Sequence, residues 1–329
     1  MTLNDLKKIT GYSVSTLSKA FNGSDEIPEN TRNKIFIAAE KHGVLNKYAK
    51  KTCKKKIIAA IVPEFISEAY ASFIALLDRA AEKYGAILTV AQDNFSTDKK
   101  RELIEFYSDY GGADGIIAFD VSFPIKKGME TPLVSIGLGS DPSLDCVSCD
   151  AAAATTEALR YLKDCGHKRI AFIGEKLTER RLEYCVRAAS EVGLSLNKKH
   201  IIVSNLRFEE AGRHGVDELL KSSDMPAAFV CAYDYIAIGA IKALSERGYK
   251  VPDDFSVLGT DNISVASYLN SPLATIDTHA DELCGIAFDI IMKKLKNKYY
   301  RTHKRIVIQA DFLPRGTIGK AIKVNPVRR

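Results

Sequence analysis

The chain has 329 residues, 46% hydrophobic and 27% charged, with no Trp and a formal net charge of +6. That length is more than one ordinary domain uses, and no apolar run approaches the roughly 18 residues a membrane-spanning helix needs. Seven scattered cysteines and an opening, MTLNDLKKIT, without the apolar core of a leader point to reduced thiols and a cytoplasmic protein.

The positive charge is not spread evenly. Residues 1–56 hold 12 Lys and Arg against 5 Asp and Glu, a net +7, whereas the remainder holds 35 against 36, a net −1. A small basic module on a neutral body implies a polyanionic partner for the module alone.

Thr2 and Asp5 form a capping box that opens a first helix, with Leu3, Leu6 and Ile9 on one face and Gly11 at its end. Ser13 caps a second helix whose core stripe is Val14, Leu17 and Phe21, and Asn22-Gly23 stops it. A third helix runs from Pro28-Glu29 towards Gly43, which completes a helix-turn-helix arrangement. The lysine-rich stretch 44–56 reads as a linker, with a short helix from Asn46 as an alternative. From Ile57 the texture changes to continuous apolar strands alternating with amphipathic helices. The strand runs are 57–62, 87–91, 114–119, 132–137, 169–174, 201–204, 227–232 and 255–260. Such runs form parallel sheets covered on both faces. Their span implies two similar α/β lobes with a cleft at the carboxyl ends of the strands.

The motifs of catalysis are missing. There is no G-x-x-x-x-G-K-[ST], H-E-x-x-H or G-x-S-x-G, and Gly137-Leu138-Gly139 lacks the third glycine of a nucleotide loop. Cys146 and Cys149 form a C-x-x-C without a second pair or a nearby His, and read as small residues at a strand end. No cofactor, metal or enzymatic activity is expected. His167 reads as a helix-end residue serving local backbone groups, and Asp234 as a helix N-cap.

The helix from Ser13 to Asn22 carries chemistry of another kind. Its apolar stripe leaves Ser15, Thr16, Ser18 and Lys19 outward. Hydroxyls are poor helix formers but suit phosphates along the walls of a major groove, and Lys19 can reach guanine O6/N7 or a phosphate. At this point TLNDLKKITGYSVSTLSKAFNG and IPENTRNKI resemble the DNA-binding head of the LacI (lactose repressor) family. GHKRIAFIG, RRLEYCVRAASEVGL, CAYDYIAIGAIKAL, VPDDFSVLGTDN, SPLATI and LPRG resemble its effector domain in the expected order, so the likeness covers nearly the whole chain.

The resemblance implies an all-α helix-turn-helix head on an α/β two-lobed, periplasmic-binding-protein-like effector domain of two parallel doubly wound sheets. The head is expected over 1–45 and the hinge over 46–56. The N-terminal lobe is expected over 57–155 and 278–308, the C-terminal lobe over 156–277 and 309–320, and a tail over 321–329. Val14, Ser15 and Lys19 match base-reading positions, while Ser13, Thr16, Ser18, Asn22, Thr31 and Arg32 match positions at the DNA backbone. The effector cleft is expected to include Tyr70, Asp150, Arg181 and Asp261. Three departures mark the pocket: Tyr233 replaces a sugar-binding Asn, Arg207 or Phe208 an aromatic wall, and Tyr184-Cys185 a Gly-aromatic pair. Arg207 hints at an anionic effector. The hinge departs further, lacking the usual Pro and placing Thr52 where a Leu wedges the minor groove; Lys47, Tyr48, Lys50 and Lys51 remain as its candidate DNA contacts.

These readings imply a ligand-responsive regulator, by default a repressor. It is expected to bind a near-palindromic operator in double-stranded DNA as a homodimer or a tetramer, with a small-molecule effector and no membrane partner. A regulator controlled by a protein partner, a solute-binding protein and an α/β enzyme with a fused head remain as alternatives.

Overall fold

The computed structural model describes residues 2–22, 24, 26–45, 55–222, 224–297 and 302–321. The head comprises α1 (Leu3–Thr10), α2 (Val14–Phe21) and α3 (Glu29–Lys41). Thr2 and Asp5 make the capping box at the start of α1, and Gly11 ends it at φ 75°, a left-handed conformation that glycine adopts without strain. The Thr16 N–H donates to the Ser13 hydroxyl at 3.0 Å, which caps α2. Leu6, Leu17, Ala20, Phe21, Ile35 and Ala39 are buried together, and the rings of Phe21 and Phe36 stack with centroids 5.6 Å apart.

Two side chains leave the predicted stripes. Ile9 is 46% exposed, because steps of three residues rotate steadily away from the buried face of a helix that turns every 3.6. Val14 is half-buried outside the head core, where Ala20 takes its place beside Leu17 and Phe21.

In the body, β1 (Ile57–Val62), β2 (Ile87–Gln92), β3 (Gly115–Val121), β4 (Leu133–Gly139), β5 (Asp145–Asp150) and β11 (Arg305–Gln309) form one parallel sheet in the order β11-β5-β4-β3-β1-β2. Ile58 sits between Leu88 and Gly115 in the ladder, which fixes the central register. α4 (Glu68–Tyr84) and α10 (Ala280–Lys296) contribute Leu77, Ala81, Ala287 and Phe288 to the core on one face of this sheet. α5 (Thr97–Glu105) contributes Ile104 on the other.

The second sheet, β7 (Ile201–Ser204), β6 (Ala171–Glu175), β8 (Ala228–Cys231) and β9 (Ser256–Leu258), is parallel in that order. It is covered by α6 (Ala152–Asp164), α7 (Glu179–Val192), α8 (Phe208–Leu220) and α9 (Asp234–Glu246). A short antiparallel pair, β10 (Thr275–Asp277) with β12 (Asp311–Leu313), lies where the chain passes between the lobes.

Cys146 and Cys149 lie within β5 rather than at a strand end; Cys146 is buried with its thiol donating to the Gly137 carbonyl at 3.1 Å. Among the described residues no cluster of His, Cys, Asp and Glu suits a metal ion, and no helix is long and apolar enough to cross a membrane. His167 is buried and its Nε2 meets the Ser256 hydroxyl at 2.9 Å and the Gly319 carbonyl at 3.2 Å. Its backbone N–H also donates to the Leu162 carbonyl at 3.2 Å, so it serves its own helix end, as expected, while its ring joins segments distant in sequence.

Candidate functional site

On α2, Ser15 and Lys19 are exposed, and the Lys19 ammonium pairs with Glu26 at 2.5 Å. Ser13 and Thr16 share a hydrogen bond of 2.8 Å, and the Asn22 amide donates to the Ser18 hydroxyl at 3.3 Å. These hydroxyls form a polar ridge on the same helix whose other face builds the head core. Thr31 lies half-buried on the first turn of α3. Beside it, the Arg32 guanidinium donates to the carbonyls of Ser24 at 2.8 Å and Ile27 at 3.4 Å, which ties down the turn ahead of α3. The predicted hinge contacts Lys47, Tyr48, Lys50 and Lys51 lie outside the described residues.

The two sheets face each other across a cavity of about 260 Å³ at the carboxyl ends of their strands. Tyr70, Arg181, Arg207, Tyr233 and Asp261 line it. Arg181, in the first turn of α7, grips both Asp261 carboxylate oxygens at 2.7 and 3.1 Å and donates to the Ala232 carbonyl at 2.6 Å. Burial opposes its charge, yet Asp261 holds its pKa above the ordinary value. Burial, reinforced by Asp120, raises the Tyr70 phenol, which keeps its proton and can donate. Asp150 does not join the site: its carboxylate accepts from the Ala152 N–H at 2.9 Å, turning the chain into α6, and Cys149 lines the cavity instead.

Among the lining residues that sequence reasoning overlooked are Glu64, Phe95, Asp120 and Glu175. Glu64 and Phe95 follow β1 and β2 within three residues, while Asp120 and Glu175 end or nearly end β3 and β6. Their signal was an acidic or aromatic residue where an apolar strand run stops, the rim on which open α/β sheets bind ligands. Backbone strain marks the same rim, since Phe95, Asp120, Phe208 and Asp261 all take positive φ, between 47° and 101°. Such conformations persist only where surrounding contacts enforce them.

Arg207, the residue behind the expectation of an anionic effector, is already paired with acids. Arg207 donates to both oxygens of Glu64, at 2.6 and 2.9 Å, and through Nε to Glu175 at 3.1 Å, so its charge is already over-neutralised. Five acidic side chains, of which Asp234 keeps its proton at neutral pH, line the cavity with two guanidinium groups, so its lining favours a neutral or cationic group over an anion.

Asp234 is one of the five. It is not an N-cap; Tyr233 holds that place, and the Asp234 carboxylate accepts from the Thr275 hydroxyl at 2.6 Å and the Ile263 N–H at 2.9 Å. Burial pushes its pKa up to about 8. An unfolded Asp releases its proton near 3.9, so between those values the folded chain holds one proton more. Stability contributed by this group is therefore complete at about pH 4 and lost as the pH rises towards 8. Urea midpoints at pH 5 and pH 8 should reveal that slope, and Asp234→Asn should flatten it.

The profile of a family described as "Periplasmic binding protein-like domain" matches residues 159–318. The chain is 28% identical over 315 residues to the ribose operon repressor of Haemophilus influenzae, covering 92% of this chain and 94% of that one. It is 24% identical over 329 residues to the transcriptional repressor CytR of Escherichia coli, with 96% of each covered. The structure of the lac repressor dimer bound to operator and an anti-inducer superposes with a TM-score of 0.71 at 18% identity, covering 97% of this chain and 99% of that one.

Proposed function

We propose that the chain is a ligand-responsive repressor of the LacI family of transcription regulators, with its head on operator DNA and its effector in the interlobe cavity. The observation that carries this reading is the combination, in one chain, of a basic helix-turn-helix head with a two-lobed cleft lined by a bidentate Arg181–Asp261 pair. α2 enters the major groove of each half-site, Val14, Ser15 and Lys19 face base edges, and the ridge of Ser13, Thr16, Ser18 and Asn22 meets phosphate. A homodimer supplies two heads for two half-sites.

The effector contacts follow from the chemistry of the lining. Arg181 and Asp261 orient hydroxyl or carbonyl groups, while Tyr70, Tyr233 and Phe208 cover an apolar or ring face. A neutral, hydroxyl-rich metabolite fits such a cavity, and the name of the ribose operon repressor points the same way. The lobes are tied by two carboxylates of one segment. Glu64 binds Arg207, and Glu68 accepts from the Tyr235 hydroxyl at 3.0 Å and the Ser264 hydroxyl at 2.5 Å. An effector that prefers one interlobe angle shifts the population of that state, and operator affinity changes with it.

Operator binding of the full chain tests this reading through Lys19. To meet DNA, Lys19 exchanges its exposed partner Glu26 for the groove, an exchange of little cost for a surface pair. Lys19→Ala should weaken operator binding by about 1–3 kcal/mol and relax preference at one base position. Equal weakening on every sequence would show that Lys19 meets only phosphate.

A further inference from the structure

The side chain of Arg207 occupies a site of its own. Its guanidinium carbon lies 4.5 Å from the ring centroid of Phe208 and 5.4 Å from that of Phe95. In-plane donors go to Glu64, whose side chain is 7% exposed, and to Glu175, whose side chain is 4% exposed. Glu64 and Phe95 belong to the lobe of the first sheet, whereas Arg207, Phe208 and Glu175 belong to the other. Two buried carboxylates and two aromatic rings are what a planar cation requires, one set satisfying its N–H groups and the other its faces. The Phe208 backbone, held at φ 54°, donates its N–H to the Tyr233 hydroxyl at 3.0 Å, which fixes this ring where the cation needs it.

We propose that Glu64, Glu175, Phe95 and Phe208 form a guanidinium-binding cage spanning the lobes, that Arg207 is its built-in ligand, and that this occupancy holds the cleft shut when no effector is bound. With the cage empty, two carboxylates face each other in a partly dry cleft, so the empty cage opens. A neutral effector leaves Arg207 in place and binds beside it. A ligand bearing a guanidinium or amidinium group competes with Arg207 for Glu64.

Chemical rescue in the full chain tests the cage without operator or effector, so its failure leaves the repressor reading standing. Hydrogen exchange is followed at segments 64–68, 207–209 and 264–268. Arg207→Ala should lose protection there by at least tenfold, and millimolar methylguanidinium should restore most of it, whereas the neutral isostere N-methylurea should not. The double variant Arg207→Ala, Glu64→Gln should show no rescue. Glu64→Gln alone should expose the same segments, while Glu175→Gln, which leaves the interlobe bonds to Glu64 intact, should expose them far less. These single variants carry the test should Arg207→Ala fail to fold. Unchanged exchange in Glu64→Gln, or equal rescue by methylguanidinium and N-methylurea, overturns the proposal.

Discussion

Gly239→Ala is expected to destabilise the chain by about 3 kcal/mol, at the upper end of what overpacking costs. Gly239 on α9 and Gly212 on α8 face one another where the two helices cross. A Cβ on Gly239 would lie 2.1 Å from the Glu209 carbonyl oxygen, and one on Gly212 would lie 2.0 Å from that of Ile236. The obstructing atoms are backbone, so no rotamer change relieves the clash and the helices must separate. That separation reaches Glu209 and Phe208, at the start of α8, and so the cavity itself. Gly212→Ala should cost a similar amount, and the double variant less than the sum, because one separation accommodates both methyl groups. Gly285 supplies the control: it lies within α10 with nothing within 4 Å of its Cβ position, so Gly285→Ala should be neutral or gain up to about 1 kcal/mol. Urea unfolding of the three single variants measures the contrast; equal midpoints for Gly239→Ala and Gly285→Ala would contradict the close crossing.

Arg181→Ala should cost about 2–3 kcal/mol of stability and remove the effector response. Truncating one partner of a buried pair leaves the other charge uncompensated, a loss of about 3–5 kcal/mol in a fully buried site. Here the Arg181 side chain keeps 34% of its exposure, so solvent screening lowers the figure, while Asp261 at 15% remains mostly dry. Asp261 also stands at φ 101°, and Arg181 fastens both oxygens of its carboxylate. Arg181→Ala, Asp261→Asn should recover part of the stability, because both charges are gone, but none of the effector response. Denaturation together with ligand-dependent operator binding separates these effects, and a double variant no more stable than Arg181→Ala would show that the pair is not the source of the loss.

The fold was largely legible because its strands are continuous apolar runs and its helices carry clear caps. IIAAIV became β1 with its predicted bounds, and the box of Thr2 and Asp5 opened α1. The start of α4 at Glu68 was less legible, because its first turn faces the cavity rather than the core. The site was legible only in part. Arg181 and Asp261 came through resemblance, and the structure brings them together across 80 residues of sequence. The pairing of Arg207 was not legible, because its partner Glu64 lies 143 residues away and no local pattern announces that a cation is already neutralised. Cys149 rather than Asp150 lines the cavity, since alternation along β5 sends the two side chains to opposite sides.

Selection from a randomised duplex pool by the full chain, at physiological salt, bears most directly on sequence-specific operator binding. The expected outcome is enrichment of two inverted half-sites whose centres lie one or more helical turns apart, with Lys19→Ala losing preference at one symmetry-related position in each half. A pool that stays unenriched, or that enriches identically for the wild-type chain and Lys19→Ala, would contradict base reading by α2.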